Sequence, residues 1–283
     1  MKKVATIILN RNLPSVTDSL YEQFQKHDGK NTDIFVVESG SHENHLSKYK
    51  TWWANDPDSV ENGLRYCRGF NYGLSELWKE GKFKNYDYFY LVCNDVKFND
   101  EPIVTPLVEE MEKHPRMAIL SPCSHLWGEK HMIPPMETRY FWEIQFLSFL
   151  VRREFIEEIM NTQEPDMMNV FFDGSNFRGY AADLETVIKA YANDWAAGIT
   201  TKVWQDEDDS ILKTKADLMK TDPYDVNLKK LFSEGKDWLR AKYGFNSRWT
   251  MQMYAKSFYQ MFFEHYPEYG RNDILAIKEL ALN

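Results

Sequence analysis

Val4-Ala5-Thr6-Ile7-Ile8-Leu9-Asn10-Arg11-Asn12-Leu13-Pro14 is the stretch on which the fold turns. Val4 to Leu9 is an unbroken apolar run, partly β-branched, and reads as a strand covered on both faces. Asn10 to Leu13 turn the chain. Pro14 then opens a helix with Val16, Leu20 and Phe24 on one face and Gly29 past its end. Ile34 to Val37 is a second short buried strand, closed by the polar turn Glu38-Ser39-Gly40-Ser41. Strand, helix, strand in that order implies a parallel pair with a right-handed crossover.

Outward from this unit the alternation continues. Residues 42–65 are irregular, with Trp52, Trp53, Pro57 and Gly63. A helix is expected from about Asn71 to Glu80, with Leu74, Leu77 and Trp78 inward and Gly81 as its stop. Tyr88 to Cys93 is a third buried strand, ending in Asn94-Asp95. Residues 105–113 read as helix, and Met117 to Leu120 as a strand closed by Ser121-Pro122. A loop over 124–139 is followed by a strand from Ile144 to Val151 and a helix from Arg153 to Met160. Residues 161–182 form a long polar and aromatic loop, Asp183 to Asn193 a helix, and Ile199 to Trp204 a strand. From Ile211 the pattern is wholly helical. There Met251, Tyr254, Phe258, Met261 and Phe262 share one helix face, which must be covered. The expected architecture is an α/β domain over 1–210, with a mostly parallel sheet and helices on both faces. A helical C-terminal extension over 211–283 completes it.

Composition narrows the function. The chain has 283 residues, 43% of them apolar and 15% aromatic, enough for a packed core. A net charge of -9 with scattered Lys and Arg argues against a nucleic-acid binder, which needs a basic stripe. No apolar stretch is long enough to span a bilayer. Met1-Lys2-Lys3 before Val4 mimics a signal peptide, but Asn10-Arg11-Asn12 ends the apolar run too early. Cys67, Cys93 and Cys123 form neither a zinc pattern nor a disulfide framework, so they are expected as reduced thiols of a cytoplasmic protein.

Three strand ends carry the chemical signal: Asn10-Arg11-Asn12, Glu38-Ser39-Gly40-Ser41 and Asn94-Asp95. In a parallel sheet they converge on one edge, where open α/β sheets bind their ligands. Here the sequence resembles family 2 glycosyltransferases. Ile7 to Asn12 is similar to their first strand and nucleotide loop, and Val37-Glu38-Ser39-Gly40-Ser41 to their Val-Asp-Asn-Gly-Ser segment. Arg68-Gly69-Phe70-Asn71-Tyr72-Gly73 resembles their Gly-x-x-x-Asn-x-Gly segment, and Leu91 to Val96 the Leu-Asn-x-Asp-Val form of their DXD metal motif. Phe172-Asp173 and Tyr180-Ala181-Ala182-Asp183-Leu184-Glu185 resemble the acceptor segment. Order and spacing hold over residues 4–210.

The resemblance implies a GT-A fold and a divalent-metal-assisted, inverting transfer of a hexosyl or deoxyhexosyl group. The donor would be a nucleotide-diphospho-sugar and the acceptor a glycan hydroxyl, as in polysaccharide biosynthesis. Asp95 would hold Mn²⁺ or Mg²⁺, which neutralises the leaving diphosphate. Such an ion takes only one or two protein carboxylates, so one Asp suffices if the nucleotide supplies the rest. Alone, Asn94-Asp95 is an ordinary turn cap; in company with the other motifs it reads as the metal site. Asn10, Asn12, Glu38, Arg68, Asn71 and Asn94 would surround the donor, with Glu38 accepting from base or ribose. Asn71 and Gly73 serve equally well as a helix start and a close-packing position. Asp183 matches the family's general base. Glu185 is the second candidate, although residues i and i+2 do not face the same way on a helix.

The pattern is broken in four places. Cys93 stands near the first acid of the metal motif, Ala182 replaces the Glu before the base, Glu38 replaces Asp, and no His follows the strand at 199–204. Gln205 and Asp206 are the substitutes there, and the run Asp206-Glu207-Asp208-Asp209 reads first as a solvated acidic loop and second as that ligand source. Trp52, Trp53, Trp127 and Trp142 read as core first and as a sugar-stacking platform second. Two other readings compete: a nucleotide-sugar-binding module that has lost the chemistry, and a sugar nucleotidyltransferase. The latter would want a Gly-rich loop after the first strand, and none is there. The helical extension can cover the domain or form a homodimer.

Overall fold

The computed structural model of the chain describes residues 3–160, 162–208 and 210–275. Asp209 and the last part of the expected extension, 276–283, lie outside them. Strand β1 (Val4–Asn10) is almost wholly buried. Helix α1 (Pro14–Asp28) opens on proline, whose missing N–H is no loss at a first helical position, and buries Thr17, Leu20 and Phe24. Strand β2 (Thr32–Glu38) and the two-residue β3 (Trp52–Trp53) follow in parallel register. After the short α2 (Pro57–Asn62), helix α3 runs over Arg65–Lys79. It starts at Arg65, earlier than Asn71, because Arg65, Arg68 and Gly69 interrupt the apolar period although Cys67 and Phe70 are already buried. Gly73 is a packing position: a Cβ there would lie 2.9 Å from Val37 Cγ2 and 3.0 Å from Ile7 Cγ2.

The middle of the chain supplies β4 (Tyr88–Cys93), β5 (Val96–Phe98), α4 (Val104–Lys113), β6 (Met117–Ser124), β7 (Thr138–Tyr140), β8 (Ser148–Arg152) and α5 (Arg153–Ile159). Buried Asp28 at the end of α1 accepts from the N–H groups of Ile103 (2.9 Å) and Val104 (3.1 Å), capping α4 from a distance. Strand β6 runs on through Pro122, where the ladder shifts register because proline has no N–H to give. Helix α6 (Ala182–Ala192) leads into the twelve-residue β9 (Ala196–Glu207). Its small first residues and polar last ones carry no apolar signal, yet they pair with β7 and β5.

Among the described residues nine strands form one sheet in the order β3-β2-β1-β4-β8-β6-β9-β5, with β7 beside β9. Pairing is parallel from β3 through β4 and between β6 and β9. It is antiparallel where β8 lies between β4 and β6, and where β5 and β7 meet β9. The sheet is therefore mixed rather than mostly parallel, in an α/β fold with helices packed on it.

The C-terminal region is helical: α7 (Ser210–Lys215), α8 (Tyr224–Tyr243), ended by Gly244 in the left-handed conformation, and α9 (Arg248–His265). Helix α9 packs on α6. Its covered stripe is Met251, Ala255, Tyr259 and Phe262. Of the face expected from sequence, Tyr254 and Met261 are instead 51% and 43% exposed. The helix is rotated from that face, with the small Ala255 buried in the cluster that holds Leu184 of α6. Tyr180, Ala181 and Leu184 form a second apolar cluster with Leu239, Met251 and Ala255. At Gly235, a Cβ would lie 2.2 Å from Tyr180 Cγ, so α8 lies directly against that ring. No helix among the described residues is long and apolar enough to cross a membrane.

Candidate active site

The turn between β4 and β5 carries Asn94 and Asp95, and the antiparallel pairing of Val96 with Glu207 brings the end of β9 beside it. Asp95 and Glu207 line a cavity of about 680 Å³. Asp183, second residue of α6, lines the same cavity. Asp95 and Asp183, assigned separately from sequence, are thus brought together. The remaining walls are Tyr66, Trp127, Phe146 and Tyr180, the charged Glu143, Arg178 and Arg248, and Leu231 and Phe232 of α8.

Electrostatics at Asp95 are unusual. Its Oδ1 is buried and accepts no hydrogen bond. Burial first, then the charges of Glu207 and Asp208, push its carboxyl up to about 7. The neighbouring Cys93 thiol is pushed up as well, by burial and by Asp95 and Glu207. A buried carboxylate oxygen without a donor, beside a second carboxylate, suits a cation. Among the described residues, however, no three His, Cys, Asp or Glu side chains gather into a metal-ligand set. Asp206, read first as part of a solvated loop, belongs to β9 and accepts from Ser124 Oγ (3.0 Å) and from His125 (Nδ1, 2.9 Å). That histidine stacks on Trp204 with centroids 4.2 Å apart.

Asp183 stands one residue inside α6, whose N-cap is Ala181 at φ 55°, a left-handed position that costs a non-glycine residue. Burial raises the Asp183 carboxyl, Arg248 lowers it and Glu143 raises it. Glu185 is placed elsewhere. It is buried and accepts from Lys242 Nζ (2.7 Å) and Tyr243 Oη (2.6 Å), and it is not among the cavity walls. The helix turn between the two acids separates them, so Glu185 docks α8 rather than facing the cavity.

The residues expected around a donor bond mainly to the protein itself. Glu38 is fully buried, accepting from Asn10 Nδ2 (2.8 Å) and the Ser47 N–H (2.7 Å). Asn10 Oδ1 accepts from Thr17 Oγ1 (3.0 Å) and Asn94 Nδ2 (3.3 Å). Asn12 donates to Leu218 O (2.9 Å) and Arg68 to Gly174 O (2.7 Å). Asn71 accepts from the N–H groups of Phe171 (3.0 Å) and Phe172 (2.9 Å) and donates to Phe172 O (2.8 Å), clamping the aromatic loop. None of these six lines the large cavity. The strand-end rim is crossed by the segment before α8, whose Met219 O takes Arg11 Nε at 2.7 Å. Of the tryptophans, Trp52 stacks on Phe35 in the core and only Trp127 reaches the cavity. Glu143 and Arg248 escape the sequence reading, and Glu207 enters it only as part of the acidic run Asp206 to Asp209. Each lies in a loop, at a helix start or at a strand end with no periodic signal.

No family model matches the sequence, and no curated protein matches it significantly. Solved structures do. A structure described as GalNAc-T7 with UDP, GalNAc and Mn²⁺ matches with a TM-score of 0.58 at 12% identity, covering 97% of this chain and 58% of that one. This chain thus spans under two thirds of that protein's length. The mannosyltransferase PcManGT from Pyrobaculum calidifontis, in complex with GDP-Man and Mn²⁺, matches at 0.48 and 13% identity, over 70% of this chain and 54% of that one. S. aureus TarS matches at 0.49 and 12%, over 85% and 44%. At such identities the likeness is one of fold, and the fold is GT-A.

Proposed function

We propose that this chain is a glycosyltransferase that moves a sugar from a nucleotide-diphospho-sugar to a hydroxyl acceptor, with inversion and with help from a divalent cation. The observation that carries the reading is the shared cavity. One wall offers a carboxylate oxygen with no donor, Asp95 Oδ1, and another offers Asp183, a half-buried acid at a helix start. Mn²⁺ or Mg²⁺ would be held by Asp95 together with diphosphate oxygens and water, because the described residues gather too few ligands of their own. When bound, such a cation offsets the charge of the leaving diphosphate.

Asp183 takes the acceptor hydroxyl's proton as that oxygen attacks the anomeric carbon. Trp127 and Phe232 offer ring faces to a glycan. The donor's nucleoside lies toward Glu38, Asn10 and Asn12, and the segment carrying Leu218 and Met219 must give way for it to enter. Glu38 then shapes the nucleoside pocket through Asn10 and the Ser47 loop. The three free thiols fit a reducing compartment such as the cytoplasm. A binding module without turnover is the second reading, favoured by the lack of a complete ligand set among the described residues.

Asp183→Asn separates the two. The variant keeps the size and loses the proton acceptor. Turnover of the cognate sugar nucleotide should fall by roughly 10²–10⁴-fold with donor affinity nearly unchanged. Turnover within a few-fold of wild type would remove Asp183 from the mechanism. No turnover of any sugar nucleotide by wild type, with binding intact, would favour the module.

A further inference from the structure

We infer that Arg248, in the C-terminal helical region, is a positioning residue for Asp183, bridging it to Glu143 across the cavity wall. The inference rests on the transferase reading for its consequence in catalysis, but the geometry stands by itself. Ser247 precedes α9, and Arg248 is the helix's first residue. Its Nη2 donates to Glu143 Oε1 at 2.8 Å and to Asp183 Oδ2 at 3.1 Å. One turn along α9, Gln252 Nε2 donates to both oxygens of Glu143, at 3.0 and 2.8 Å. Asp183, Glu143 and Arg248 all line the cavity.

Two carboxylates therefore share one guanidinium, and the second is fixed from the same helix. Without Arg248, Asp183 and Glu143 would face each other as like charges on a partly desolvated wall. One of them would then take up a proton. Burial already favours the neutral form of Asp183, and Arg248 is the cation that opposes it. Tyr66 and Cys67 of α3 also feel Asp183, and burial pushes both toward the protonated form; Arg178 is a further charged group on the same cavity. An Asp183 fixed through Oδ2 meets an acceptor in one orientation. That work is done by a residue 65 positions downstream, from a helix outside the strand-forming part of the chain.

The test needs no substrate. The ¹³C carboxyl resonance of Asp183 is titrated in the full-length wild type, in Arg248→Met, in Arg248→Lys and in Glu143→Gln. Arg248→Met should raise the midpoint by about one to three pH units. Arg248→Lys should raise it less, and Glu143→Gln should lower it because a repelling charge is gone. In the enzyme assay, the acid limb of the kcat profile should move with these midpoints. Arg248→Met should recover turnover as pH rises, with donor KM unchanged. Midpoints equal in all four proteins would overturn the inference. So would an activity loss in Arg248→Met that is uniform with pH. Should Arg248→Met fail to fold, the opposed shifts of Arg248→Lys and Glu143→Gln still decide the matter. Moving midpoints in a protein that turns over no sugar nucleotide would uphold the positioning and sink the transferase reading alone.

Discussion

Asp95→Asn probes the site in its metal-free form. Burial and Glu207 hold the Asp95 carboxyl at about 7 against an ordinary 3.8. The folded protein therefore binds this proton more tightly than the unfolded chain. Stability must then fall as pH rises from 3.8 to about 7 and stay reduced above that. The gap is about 3 pH units, at about 1.4 kcal/mol for each, so the full penalty is at most about 4 kcal/mol. The side chain borders an open cavity, and water there screens part of it. Asn keeps the shape and drops the charge. The variant should be more stable than wild type by about 1–3 kcal/mol at pH 8 and by almost nothing at pH 4. Urea unfolding in EDTA at both pH values measures the difference. An equal gain at the two pH values, or a loss at pH 8, would refute the charge argument. Repeating the pH 8 melts with Mn²⁺ and a nucleoside diphosphate should stabilise wild type and leave the variant unmoved.

Two further outcomes are expected. Asn71→Ala strips the Phe171 and Phe172 backbone of partners inside the core, and should cost about 2–4 kcal/mol in urea unfolding. A cost under about 0.5 kcal/mol would mean that the aromatic loop holds itself. At acid pH, burial alone would raise Glu110, but hydrogen bonds from Lys113, Lys202 and Thr138 hold it at about 2 against an ordinary 4.5. Its depressed value makes its contribution complete above 4.5 and lost as pH falls toward about 2. Wild type should lose more stability across that interval than Glu110→Gln; parallel pH curves would count against it.

The parallel half of the fold is open to sequence reasoning, since β1 and β4 are apolar runs buried on both faces and β2 carries the apolar run Ile34 to Val37. The antiparallel half is less so. Strand β8 begins four residues after Ile144, where the apolar run starts, and β9 extends past its apolar centre at both ends, where alanine, glycine, glutamine and acids carry no period. Asp95 and Asp183 stand out as candidates because each follows a strong local signal, a buried strand or an aromatic loop. Their meeting in one cavity depends on β8 and β9 pairing across the sheet, which no local pattern states. Glu143 and Arg248 were invisible for the same reason: an ion-pair bridge between a loop and a distant helix start leaves no trace in neighbouring residues. Glu185 shows the converse. A good motif position became a docking contact because Lys242 and Tyr243 of α8 reach it first.

The pairing of Val96 with Glu207 also fixes an order of assembly. During synthesis the N-terminal part folds first, at about 5–20 residues per second. Strands β1, β2 and β4 can pair as soon as they emerge, and until then Asp95 ends a strand with no acid opposite it. Its conflict with Glu207 arises only when β9 closes on β5. The guanidinium of Arg248 arrives later still. A nascent chain thus passes through a stage in which the sheet is largely built while the chemistry is absent. The pairing that places like charges together therefore precedes the contact in which Arg248 bridges Asp183 and Glu143. Long-range pairings of this kind are slow to close, and for the interval before they do, the growing chain has the outline of the fold with no working cavity.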